Sequence, residues 1–273
     1  MIGLVTLSRR SVLGLAALGI GSIAAGCSRA LTKPARTVAS TPTVPGTTSP
    51  SKAATSPRVG GVRPSVFHGR PVGAAAVEYL HGPRTAPAVA LTFHGAGDTA
   101  IANELLAIFA AHHAKVTVLA VGSWLAASPK IAETIVGSGH ELGNHTYNHL
   151  DINSLGTGAA QSEISRCKDL LVSLIGSGGA YFRPSQTQHA TPLVRQLAGK
   201  EGYPVCLSYD VDSLDYTDPG PATIRRQVAT ASAGSIVSLH FGHPGTVSAM
   251  PLILDDLRQR GLEPVTASTL LAS

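Results

Sequence analysis

Cysteine is scarce in this sequence: three among 273 residues, at positions 27, 167 and 206. No Cys-x-x-Cys pair exists, which excludes a thiolate metal site and a dithiol redox motif. Cys167 sits in a helical pattern and Cys206 in a strand-like run, so both read as small buried hydrophobes rather than as a disulfide. Charge is also sparse, 14% against 44% hydrophobic residues, and a chain that apolar has enough material for a core. Acidic residues are missing altogether from residues 1–75, which carry nine Lys or Arg; residues 76–273 carry twelve against sixteen Asp or Glu, a net of −4. The overall charge of +5 is therefore a property of the N-terminal quarter. It leaves no nucleic-acid footprint on the rest.

What is present begins with an address. Ser8-Arg9-Arg10-Ser11 precedes an apolar run from Gly14 to Ala25, too short to span a bilayer as a mature helix. The arginine pair resembles a twin-arginine export signal. Ala24-Ala25-Gly26-Cys27 resembles a lipobox, so residues 1–26 read as a signal peptide and Cys27 as the lipidated first residue of an exported protein. Such an anchor places the chain on the outer face of a bacterial cell membrane, towards the wall. Residues 27–75 are rich in Ser, Thr and Pro without periodicity and read as a disordered tether, leaving residues 76–273 as the folded domain.

Across that domain short β-branched runs alternate with helical patterns. The strand candidates are 89–94, 116–121, 141–145, 180–183, 205–209, 236–241 and 264–266. Alternating βα units imply an α/β fold with a parallel sheet, and seven of them an irregular (β/α)7 barrel whose chemistry lies on the loops after the strands. The polar clusters fall there: His94 to Asp98 after the first strand, His145 and His149 after the third, Arg183-Pro184 after the fourth, Asp212 to Tyr216 after the fifth, and His240 closing the sixth. Two histidines four apart share one face if they lie on a helical turn, and both can then reach one cation.

The ordered set closely resembles the motifs of the polysaccharide deacetylases, the NodB-homology or carbohydrate esterase family 4 class. His145-Thr146-Tyr147-Asn148-His149 resembles the second motif, Phe182-Arg183-Pro184 the third, Asp212-Ser213-Leu214-Asp215-Tyr216 the fourth and Leu239-His240 the fifth. The resemblance implies a monomeric metal-dependent hydrolase that removes N-acetyl groups from a cell-wall or related polysaccharide. A divalent ion, Zn²⁺ or Co²⁺, would activate water against the acetyl carbonyl. By resemblance His145 and His149 are metal ligands, and His240 is the acid that protonates the departing amine, with Asp215 fixing it. Asp212 and Arg183 belong to the catalytic group, Arg183 orienting the base. Pro184, Gln186, Tyr216 and Leu239 line the sugar site.

The first motif departs from the family. Where the family has Thr-Phe-Asp-Asp-Gly, with a base and then a ligand, this chain has Thr92-Phe93-His94-Gly95. The expectation is that Asp98, beyond a glycine-rich turn, supplies the missing ligand while His94 serves as base. Two alternatives stay open: His94 is a third histidine ligand, or the site is degenerate and metal-free. The rival functions are a non-catalytic glycan-binding lipoprotein and an O-acetyl esterase. His243, close behind the sixth strand, is a minor site candidate, and Trp124, the single tryptophan, reads as packing.

Overall fold

The computed structural model describes residue 71 and residues 73–273; the expected signal peptide, Cys27 and nearly all of the expected tether lie outside the described residues. The chain runs β1 (Val77–Tyr79), β2 (Ala88–Gly95), α1 (Thr99–Ala111), β3 (Thr117–Ala120), α2 (Gly122–Ala127), α3 (Lys130–Gly137), β4 (Glu141–Asn144), α4 (Thr157–Ile175), α5 (Pro192–Lys200), β5 (Val205–Leu207), β6 (Val211–Asp212), α6 (Pro221–Val228), β7 (Ile236–His240), α7 (Pro244–Gln259), β8 (Glu263–Val265) and α8 (Ala267–Leu271).

All named strands pair in parallel. One run has the order β4-β3-β2-β7-β6, with β8 also on β2, and β1 pairs β5. Phe182 bridges Asn144 of β4 to Cys206 of β5, which links the two runs into the curved wall of the expected irregular barrel. The strand expected at 180–183 is reduced to these bridges, because Pro184 has no N–H with which to extend the ladder. Central β2 is buried along seven of its eight residues, as a parallel strand covered on both faces must be.

Ser128-Pro129 reads in the sequence as a helix start with Ser as N-cap, but Ser128 ends the short helix α2, its N–H reaching Trp124 O and Leu125 O, and Pro129 takes the N-cap position of α3. Six residues carry too little periodicity for α2 to be read in advance. Cys167 and Cys206 are fully buried and free, and burial pushes both thiols up to about 12, as small core residues behave.

His140, where α3 turns into β4, packs edge-on against Phe109 and accepts a hydrogen bond from Val116 N–H at 3.3 Å. Burial, reinforced by Lys115, lowers its pKa to about 4. The unfolded chain therefore binds this proton more readily than the fold does, and the neutral ring's contribution is complete above about pH 6.5 and is lost as pH falls towards 4. After discounting for solvent screening that contribution is about 1–3 kcal/mol. Urea unfolding at pH 7 and pH 4.5 should show a smaller loss of stability on acidification in His140→Leu than in the wild type. Equal losses would remove His140 as a cause.

Candidate metal centre and cleft

Side chains at the strand C-termini surround a cleft of about 600 Å³, whose lining includes His94, His149, Gln186, Asp212, Tyr216, Ser238, His240 and His243. Alternation along β7 puts Ser238 and His240 on the cleft side and turns Leu239 the other way. Leu239 is accordingly fully buried in the main core, and the expected sugar contact there is not made. Pro184 is likewise buried and absent from the lining. Gln186 and half-exposed Tyr216 do line it, as expected. Trp124 packs instead, giving its indole N–H to Gly97 O at 2.8 Å.

At the bottom His94, His145 and His149 offer three ring nitrogens that lie within 4.8 Å of one another. The histidines of the second motif converge as expected, but not on a helical turn. The loop's N–H groups are taken by side chains instead. Asn144 Oδ1 accepts from Thr146 N–H at 2.8 Å, and the Glu163 carboxylate of α4 accepts from Tyr147 N–H at 3.1 Å and Asn148 N–H at 2.7 Å. Thr146 and His149 adopt positive φ of 64° and 59°, a strain that such surroundings must hold in place. Glu163 was invisible to motif reading, being fourteen residues beyond the second histidine and a plain helix-face acid in the sequence.

Asp98 stands outside the cluster. Exposed at the start of α1, it is the helix N-cap and accepts a hydrogen bond from Ala100 N–H at 2.8 Å. An N-cap satisfies an otherwise unpartnered helix donor, and that local bond holds the carboxylate away from the histidines. His94 occupies the place intended for Asp98. Gly95, where the family carries its carboxylate ligand, has no room for one: a Cβ there would come within 2.9 Å of Val118 Cγ1 and 3.0 Å of Trp124 Cζ3.

The hydrogen bonds assign tautomers. His145 Nδ1 can only donate to Arg183 O, at 3.0 Å, so its Nε2 presents a lone pair to the centre. His94 Nδ1 lies 2.8 Å from that Nε2, and His94 Nε2 lies 3.1 Å from Ser238 Oγ. With an ion bound, His94 Nδ1 would offer its lone pair beside that of His145 Nε2 and its Nε2–H would donate to Ser238 Oγ, which leaves His94 no free nitrogen to act as a base. Burial first, and then the neighbouring imidazoles, lower the pKa of His94 and His145 well below the usual histidine value; burial and His240 lower that of His149. Three neutral imidazoles form a donor set suited to a divalent cation.

Arg183 is fully buried, yet it makes no hydrogen bond to His94 as an orienter of the base would. Its Nε donates to Leu207 O at 2.7 Å, one terminal nitrogen donates to Thr92 Oγ1 at 2.8 Å and Ser208 O at 3.1 Å, and the other is unpartnered. Its work is to tie β2 to β5, while its backbone carbonyl holds His145. Asp212 reaches the cleft, and one of its oxygens accepts from Leu214 N–H at 2.9 Å.

Beside the cluster His240 stacks on His94 with ring centres 4.2 Å apart. Fully buried Asp215 holds it twice, through Nδ1 at 2.7 Å and the backbone N–H at 2.8 Å, and also accepts from Thr246 Oγ1 at 2.7 Å. Burial alone would raise the Asp215 pKa; the His240 and Thr246 contacts outweigh it and hold the carboxyl below its usual range. Ionised Asp215 fixes the tautomer and leaves His240 Nε2 for the cleft.

An α/β barrel with an imidazole triad at its strand ends and an Asp-anchored histidine over an open cleft has the make-up of an enzyme site. Residues 81–206 match the polysaccharide deacetylase family model. The match covers 126 of the 273 residues and makes the chain similar to that family, the carbohydrate esterase family 4 class. A peptidoglycan-N-acetylglucosamine deacetylase of Bacillus cereus is 29% identical over 194 residues, 69% of this chain and 90% of its own length. The uncharacterized protein YlxY of Bacillus subtilis is 25% identical over 68% of this chain, but the match spans only 57% of YlxY. A carbohydrate esterase family 4 pseudoenzyme from Bacillus anthracis shares the fold with a TM-score of 0.68, at 21% identity over 72% of this chain and 69% of its own.

Proposed function

We propose that the chain is a metal-dependent deacetylase of N-acetylated cell-wall polysaccharide, exported and held at the outer membrane face through lipidated Cys27. The observation that carries the reading is the His94–His145–His149 cluster opening on the same cleft as the Asp215–His240 pair. In this assignment His94 is a ligand, which leaves the first motif without a carboxylate base.

The three imidazoles would hold a divalent ion, zinc by donor type, which supplies Lewis-acid polarisation of the acetyl carbonyl and acidification of water. The protein's own groups handle position and protons. Asp215 keeps His240 in one orientation with Nε2 towards the cleft. His240 is the anchored group in position to take the proton from attacking water and to return it to the departing amine. Tyr216 offers a half-exposed ring as an apolar wall for a sugar face, and Gln186 and Asp212 offer polar contacts to its edge. Hydrolysis of the amide then yields acetate and a free amino sugar.

A second reading, a glycan-binding protein without turnover, is favoured by one observation: both His94 nitrogens are engaged, and no carboxylate from the first motif faces the cleft. The test is acetate release from peptidoglycan and from N-acetylchitotetraose, with added zinc and with chelator. Zinc-dependent release from either substrate is expected. Saccharide binding with no release under any metal would establish the second reading, and release from aryl or O-acetyl esters alone would make the protein an esterase.

A further inference from the structure

The Asp215–His240 pair has a twin. Asp218 Oδ1 lies 2.9 Å from His243 Nδ1, so the carboxylate at 218 anchors the imidazole at 243 as the one at 215 anchors that at 240, each pair separated by 25 residues. The duplication has a structural cause. Asp215 opens a short 3₁₀ turn, Asp215–Thr217, and Asp218 ends it. Residues three apart eclipse in that helix, so both carboxylates face the loop after β7. Leu214 and Asp218, on either side of the turn, hold positive φ of 56° and 50°, strain that persists only where packing demands it.

The partner loop is held just as closely. Gly242, at φ 91°, lies against Gly97, at φ 95°, and a Cβ on Gly97 would fall 2.8 Å from Gly242 Cα. That contact sets His243 at the N-terminus of α7, where it caps nothing with its side chain. Its ring instead lines the cleft, edge-on to His240 with centres 5.9 Å apart. An ionised carboxylate only accepts, so Nδ1 carries a hydrogen and, in the neutral ring, Nε2 is an acceptor. The ring contact of His243 is with His240, which in turn stacks on His94.

We infer that His243, anchored by Asp218, is a recognition residue for a second sugar unit, accepting a hydrogen bond from a hydroxyl of the saccharide neighbouring the one whose acetamide faces His240. This rests on the saccharide reading of the cleft and gives it a polymer preference: oligomers bind better than a single unit. The chemistry requires only a hydroxyl donor, and the His–Asp contact keeps the acceptor aimed without needing substrate to order it. A side-chain contact this exposed contributes little to stability, so its loss is separable from unfolding.

The test is calorimetric titration of the zinc-loaded protein with N-acetylchitotetraose, comparing wild type, His243→Ala, His243→Gln and Asp218→Asn. His243→Ala should bind about tenfold more weakly, the scale of one net hydrogen bond. His243→Gln, which retains an acceptor, should recover most of the loss, and Asp218→Asn should fall between. Zinc content and Tm should match the wild type in all three variants. Affinity within twofold of wild type in His243→Ala, a parallel fall in Tm or zinc content, or no tetrasaccharide binding by the wild type would each overturn the inference. Because the readout is binding, it stands apart from turnover: a wild type that binds but releases no acetate, with weaker His243→Ala binding, would remove the deacetylase reading and keep this one.

Discussion

His94→Ala is expected to lose tight zinc binding and, with it, hydrolytic activity. Second-sphere partners of a metal ligand typically contribute about 10–100-fold in affinity, so removing one of three donors should cost at least that much. The expectation depends on where the 94 imidazole sits. It lies 2.8 Å from the His145 nitrogen that faces the centre, while Asp98 is held at the N-terminus of α1 by its bond to Ala100. Asp98→Asn makes the contrast: asparagine is an equally good N-cap, so zinc affinity and stability should both stay close to wild type. Competition with a chromogenic chelator measures both variants. If Asp98→Asn lost the ion and His94→Ala kept it, the first-loop assignment would have to be reversed.

His240→Ala should retain the ion and lose turnover by roughly 10²–10⁴-fold, the range that a positioned acid–base group contributes. Its ring stacks on His94, so metal content must be measured in the same preparation. Asp215→Asn should also slow the reaction with metal retained, because an amide can present its N–H₂ to His240 Nδ1 and so favour the wrong tautomer. Leaving groups separate chemistry from binding. An aryl acetate, whose phenolate needs no proton, should lose only the base contribution in His240→Ala, and so less than the N-acetyl substrate, which loses acid and base together. Equal losses on both would show that His240 acts on the attacking water alone or merely supports the site.

The parts of this site that motif spacing carries were legible before any coordinates. The strand ends, the convergence of His145 with His149, and the Asp215–His240 pair follow from βα alternation together with the family's motif order. The parts that failed were local choices with two physical solutions. An aspartate ahead of a helical pattern is a strong N-cap signal, and at Asp98 that signal outweighed the flexibility of the glycine turn. Leu239 was readable by alternation alone, because Ser238 and His240 cannot face the cleft without turning Leu239 into the core. The spacing of the second motif suggested a helical turn, whereas the loop is shaped by Glu163, a contact that no local pattern contains. Proximity to a strand end makes His243 a minor candidate in the sequence, but its anchoring by Asp218 emerges only once the 3₁₀ turn is built.

The most direct test of the account is X-ray absorption and elemental analysis of the domain purified with zinc and then dialysed against metal-free buffer. One zinc per chain bound by three imidazole nitrogens is expected in the wild type, and loss of that zinc on dialysis in His94→Ala. A wild type that keeps no stoichiometric metal, or a His94→Ala variant that keeps its zinc, would contradict the three-histidine centre.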